Sequence, residues 1–164
     1  MATWDRSNRA VVLATSDESD EPLLNELLEL WHALRDGRTM PVREDMTPER
    51  LKSHLGWIHL LAVSHEPLEF HFRLYGSKIA DVLGHDASGK SLTETFSGDF
   101  RGALRDAFVS VVNRKEPLVL KSTGAGAGKE HLDIISLLLP LADKAKGADK
   151  VDVILIRHVI GDYR

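Results

Sequence analysis

The chain has 164 residues, 43% hydrophobic and 28% charged, with a net charge of −4 at pH 7 and no cysteine. That size suits one self-sufficient globular domain, with about 68–70% of the extended chain's surface hidden on folding. The lack of thiols excludes disulfide scaffolds, thiolate metal sites, iron–sulfur clusters and cysteine nucleophiles, and the scatter of 21 Lys and Arg among 25 Asp and Glu argues against nucleic acid, which demands a basic face.

Near the start the apolar stretch Ala10 to Ala14 is too short for a signal peptide's apolar region and Ser16 to Glu21 after it is acidic, so a secretory signal is not expected. The longest apolar runs, Trp57 to Val63, Ile134 to Ala142 and Val151 to Ile156, fall far short of the ~18 residues of a spanning helix. The expectation is a cytoplasmic protein with no membrane insertion.

Residues 1–21 end in Ser16, Asp17, Glu18, Ser19, Asp20 and Glu21, a stretch with no period that would bury anything, and read as a flexible acidic tail. A single domain is expected over 22–164. It opens at Pro22, which suits the first turn of a helix, and Leu23, Leu24, Leu27, Leu28, Leu30, Trp31 and Leu34 follow at helical spacing before Gly37, predicting a helix over 22–36. Its apolar stripe must be covered, by the chain's own sheet or by a second copy. Leu24, Leu27, Trp31 and Leu34 are therefore the candidate interaction surface. Asn25, Glu26 and Glu29 on the polar face argue against a lipid surface.

Thr47-Pro48-Glu49 reads as a capped start of a short helix ending near His54. Trp57 to Val63 and Leu68 to Tyr75 read as two strands of a hairpin; in the second, Phe70, Phe72 and Leu74 share one face and His71, Arg73 and Tyr75 the other. Short helical pieces punctuated by Gly76, Gly84 and Gly89 follow, including Ile79 to Leu83 and Leu92 to Phe96. A longer amphipathic helix then runs from Phe100 to about Arg114 with Leu104, Ala107, Phe108, Val111 and Val112 on one side. Strands over Leu118 to Thr123, Leu132 to Leu141 and Val151 to Ile160 close the chain. The last two are apolar on both faces, Ile134 and Leu138 against Ile135, Leu137 and Leu139, then Val153 and Leu155 against Ile154 and Ile156. Each face of the sheet then needs a cover, which predicts three layers.

Phe72-Arg73-Leu74-Tyr75-Gly76, Val82-Leu83-Gly84-His85-Asp86 and Ser88-Gly89-Lys90-Ser91-Leu92, in this order between two strands and three, resemble the F-R-x-x-G, f-G-x-d and t-G-x-s-l signature of the stand-alone bacterial PAS subfamily typical of alphaproteobacteria. Pro41-Val42-Arg43 and Leu55-Gly56-Trp57 fit its lead-in, so the resemblance extends from Leu23 to Ile160. It implies an α+β fold, a five-stranded antiparallel sheet with helices across one face, here with the N-terminal helix on the other, and a small cavity between sheet and helices. Phe72, Leu74, Ile79, Leu83, Phe96, Leu104, Phe108, Leu120 and Ile134 should face inward and are the candidate cavity residues. Gly76, Gly84 and Gly89 are expected at positive φ, which glycine adopts without strain.

Cavities of that fold hold flavin, haem, other chromophores or metabolites, so the resemblance leaves the cofactor unknown. Flavin–thiol photoadducts and thioester-linked chromophores both need the missing cysteine. Haem needs an axial ligand, and the helix from Phe100 to Arg114 has no histidine; His85 reads as a polar turn residue after Gly84. The eight histidines show no metal-binding spacing, although His59 and His71 could approach across the hairpin. Gly124-Ala125-Gly126-Ala127-Gly128-Lys129 lacks the spacing, hydroxyl and helix of a phosphate loop and reads as a hairpin connection. Lys144, Lys146 and Lys150 read as a solvated turn, and no nucleophile elbow or triad can be nominated.

The reading is a non-enzymatic sensory or signalling module that couples a small-molecule ligand to contact with a protein partner or a second copy as a homodimer. Two alternatives remain. One is a pocket protein of NTF2-like type, an enzyme or carrier whose long helices would precede its sheet; the other is a dimerisation module whose cavity is too small for any metabolite.

Overall fold

Segments apolar on both faces belong at the centre of a sheet covered twice, and that is where the chain puts them. The computed structural model describes residues 14–16, 19–124 and 127–161. Its elements are β1 Ala14–Ser16, α1 Pro22–Arg35, β2 Ile58–Ser64, β3 Glu69–Leu74, α2 Ser77–Leu83, α3 Leu92–Thr95, α4 Gly98–Arg114, β4 Leu118–Gly124, β5 Lys129–Leu141 and β6 Val153–Ile160. The strands form one sheet in the order β1-β4-β5-β6-β2-β3, with every neighbouring pair antiparallel. The five expected strands are all present, and β5 and β6 lie in the interior of the sheet.

The sixth, β1, corrects the reading of 1–21 as a loose tail: Thr15 pairs with Leu120 on the edge of β4. Three residues are too few to display the alternation that betrays a strand. The rest of that segment up to residue 18, like Ala125 and Gly126 of the β4–β5 connection, lies outside the described residues.

Side chains of β4, β5 and β6 alternate between the two faces, and different helices cover each face. On one, α4 lays Phe108 against Phe70 of β3, ring centroids 5.4 Å apart. On the other, α1 begins at Pro22 and ends in a left-handed turn at Asp36 and Gly37. Leu24, Leu27 and Trp31 are at most 1% exposed there, and the Trp31 indole Nε1–H donates to the Pro140 carbonyl of β5 at 2.9 Å. β4 pairs with β5 only as far as Leu138, so Pro140 lies where β5 has run past that neighbour and a residue lacking an N–H is tolerated. The expectation of α1 as an interaction surface is therefore corrected: Leu24, Leu27 and Trp31 are buried in the chain's own core, Leu34 is partly buried against it, and only Leu23, 40% exposed, presents a large apolar side chain to solvent from this helix.

Short 3-10 turns at Arg43–Asp45 and Lys52–His54 accompany α1; the Thr47 hydroxyl accepts from the Arg50 N–H, as the cap reading expects. The outer edge of β3 is not bare: the Phe72 N–H donates to Lys90 O at 2.9 Å, the Gly89 N–H to Phe72 O at 2.7 Å, and His71 bridges to Ser91.

Within α4, Gly102 is exposed and a methyl added there would meet nothing within 4 Å. Gly102→Ala should therefore stabilise the fold by about 0.5–1 kcal/mol, read as a raised denaturant midpoint with an unchanged m-value.

Candidate functional site

Between the sheet and α2, α3 and α4 lies a cavity of about 60 Å³, lined by Phe72, Leu83, Phe96, Leu104, Phe108, Leu120 and Ile134 among others. These are seven of the nine expected cavity residues. Leu74 and Ile79 are corrections. The register of β2 and β3 shifts between Leu60 and Leu61, so that Leu61 opposes Phe72 while Leu60 opposes Leu74. A bulge of this kind breaks the simple alternation, leaving Leu74 44% exposed and bringing Tyr75 to the cavity wall. Ile79 is fully buried but packs in the core beside the cavity instead of lining it.

Sequence reasoning missed the polar side of the cavity, formed by His59, Tyr75, His85, Ser122, Ser136 and His158. The signal was present in the parity of the strands. His59 shares its face with Leu61 and Val63, Ser136 with Ile134 and Leu138, and His158 with Ile156 and Ile160. A polar residue in the apolar register of an interior strand marks a site more sharply than any spacing of histidines. His85, expected as a turn residue, also faces the cavity and has its Nε2 3.4 Å from the Tyr75 hydroxyl. His71 does not meet His59, because it pairs opposite Ala62 and lies on the other parity; His158 of β6 approaches His59 instead, with ring centroids 4.8 Å apart.

His59 is held on two sides. Its ring stacks on Tyr75 at 3.9 Å between centroids, and its Nδ1 accepts the Gly76 N–H at 2.9 Å. An accepting Nδ1 carries no proton, so the neutral ring bears its proton on Nε2. Gly76 has φ −58°, which corrects its expected role. A Cβ there would lie 2.6 Å from Gly56 O and 2.8 Å from Ile58 O, so the glycine serves close backbone approach. Gly84 and Gly89 do have positive φ, 82° and 78°.

The Ser136 hydroxyl and His158 Nδ1, on directly paired residues of β5 and β6, are 2.6 Å apart. His158 keeps some accessible surface, but that surface opens on the cavity, and the ring is desolvated all the same. Burial, helped by the Arg157 guanidinium, pushes its pKa down to about 4. Burial and then the neighbouring His158 and His85 depress His59 in the same direction, and burial raises the Tyr75 phenol well above its usual range. At neutral pH these groups are all uncharged, and among the described residues no Asp, Glu, Lys or Arg lines the cavity. An imidazole that loses its proton near pH 4 is a poor base at neutrality, so Ser136 and His158 do not make an effective nucleophile–base pair. Among the described residues no group of three or more His, Asp or Glu is placed to hold a metal ion.

The depressed pKa of His158 makes the fold acid-sensitive. Unfolded, the same imidazole titrates near 6.5. Its contribution is complete above that value, falls as the unfolded chain takes up the proton, and levels off once the folded form also protonates near pH 4. One such group corresponds to a loss of about 3 kcal/mol between pH 7 and pH 4, and His59 adds to it. Urea unfolding at the two pH values should show this loss, and His158→Gln should flatten the dependence.

As assembled, the cavity has room for about four to six water-sized positions, well below the ~300 Å³ at which pockets for drug-sized ligands begin; a flavin or haem does not fit without opening it. Comparison with protein-family models gives a match to the model described as PAS domain over residues 19–155. Comparisons with curated proteins and with solved structures give no match. The match covers the α1 helix, β2 to β5, the first residues of β6 and the helices that roof the cavity, and with it the chain belongs to the PAS domain family.

Proposed function

We propose that this chain, by family a sensory or signalling module, is a non-enzymatic sensor in which occupancy of the cavity is read out as a change in the docking of α1 on the opposite face of the sheet. The observation behind this reading is an adjacency in β6. His158 contributes to the cavity, and its neighbour Arg157 points to the α1 side, where Arg157 Nε donates to His54 Nδ1 at 3.1 Å and His54 Nε2 lies 4.0 Å from the Glu26 carboxylate of α1. The guanidinium also donates to His158 O and sits 5.9 Å from the centre of the Trp57 ring. A shift of β6 under a ligand therefore reaches the α1 side through the Arg157–His54 hydrogen bond and the approach of His54 to Glu26, and packed elements of this kind respond by repacking.

The output is contact with a protein partner or a second copy, since α1 carries the change and the net charge of −4 disfavours nucleic acid. Among the described residues no helix is long and apolar enough to cross a membrane, in keeping with action in the cytoplasm. The order of elements, with helices interrupting the strands two and three, is also unlike the pocket protein whose helices come first.

The test is native mass spectrometry of the protein purified from its own host, followed by amide hydrogen exchange with the retained molecule present and after its removal. A retained small molecule whose removal changes the exchange of the Leu24 to Trp31 amides supports the reading, and Arg157→Met should weaken that dependence. Identical exchange in α1 with the cavity filled and empty would sink it.

A further inference from the structure

The chemistry of the cavity wall narrows the ligand class, an inference that rests on the sensory reading above. Among the described residues the lining contains no charged side chain, and an ion entering it would leave water for a site without a counter-charge. One polar group is aimed and fixed. His59 is 2% exposed and lines the cavity, its Nδ1 is engaged by the Gly76 N–H, and its Nε2–H has no hydrogen-bond partner among the described residues. Tyr75 stacks on one side of the ring and Phe72 meets it edge-on at 5.7 Å, so the ring cannot swing away to find another acceptor. A donor held in this way and open to the cavity calls for an acceptor on whatever occupies it.

We infer that the cavity binds an uncharged molecule of a few non-hydrogen atoms that presents a hydrogen-bond acceptor, a short carbonyl compound, to the Nε2–H of His59. The small volume sets the size, the aromatic and aliphatic walls set the apolar character, and the fixed donor sets the acceptor. The neutral state of the three imidazoles at pH 7 agrees with the absence of a binding charge.

Three probes of nearly the same shape separate these requirements: butanone, propanoate as its anionic counterpart, and 2-methylbut-1-ene as its counterpart without an acceptor. Each is titrated into the full chain with the Gly76 amide and the His59 ring nitrogens followed by nitrogen-15 NMR at pH 7. Butanone should bind saturably at least tenfold more tightly than either of the others and should move the Nε2 resonance of His59. His59→Phe should reduce butanone to the affinity of the alkene; should that variant not fold, the Nε2 shift of the unaltered protein still decides. Propanoate binding as tightly as butanone, equal binding of the alkene, or no saturable binding of butanone would each overturn the inference. In those cases a different molecule retained from the host would leave the sensory reading standing, and an empty cavity in the host protein would remove both.

Discussion

Trp31→Ala is expected to destabilise the fold by about 3–5 kcal/mol. The indole is 1% exposed, it fills the space between α1 and the sheet with Leu24 and Leu27, and its Nε1–H satisfies the Pro140 carbonyl at 2.9 Å. Truncation removes the apolar contact, leaves a void and frees a buried acceptor at the same time. Chemical denaturation monitored by circular dichroism checks the size of the effect. Because the ring faces inward, the loss should be the same at all protein concentrations. A loss that grew on dilution would mean that Trp31 acts between copies and would reinstate α1 as an interface.

Gly76→Ala is expected to cost about 3 kcal/mol or more. The new methyl would stand within 2.8 Å of two carbonyl oxygens, those of Gly56 and Ile58, and both are backbone atoms of a turn and a paired strand that cannot rotate aside. Relief requires α2 to move off β2, and the Gly76 N–H that fixes His59 moves with it. Two readings of one variant therefore follow: a lowered denaturant midpoint, and loss of the His59 tautomer signature in nitrogen-15 spectra. Gly84→Ala is the contrast. Its φ of 82° strains any side chain, yet a methyl there meets nothing within 4 Å, so the cost should stay near 1 kcal/mol and His59 should be undisturbed.

How far the sequence could be read depended on how much repetition each element offered. α1 has seven apolar positions at helical spacing, and its range came out within a residue of Pro22–Arg35. β5 and β6 are apolar on both parities, which declared that each face of the sheet is covered; their interior place in the strand order came from the structure. The cavity itself came from the resemblance to the family, and apolar patterning supplied the wall residues from Phe72 to Ile134. The exceptions have local causes that no periodic pattern reports. The bulge beside Leu60 turns Leu74 outward and Tyr75 inward, and β1 is three residues long. The stripe of α1 required a cover, but the sequence does not say whether the cover is the same chain, and the structure supplies its own sheet. The polar wall of the cavity was hidden by attention to spacing along the chain, since His59, Ser136 and His158 come together only through strand pairing.

The hydrogen bonds from Lys90 and Gly89 to Phe72, with the bridge at Ser91, give β3 a partner from its own chain. Exposed strand borders recruit foreign strands and seed fibrous assembly. On this side the recruiting groups of Phe72, at the middle of the strand, are already occupied, so a foreign strand cannot pair along the full length of this flank, which works against the molecule templating its own polymerisation.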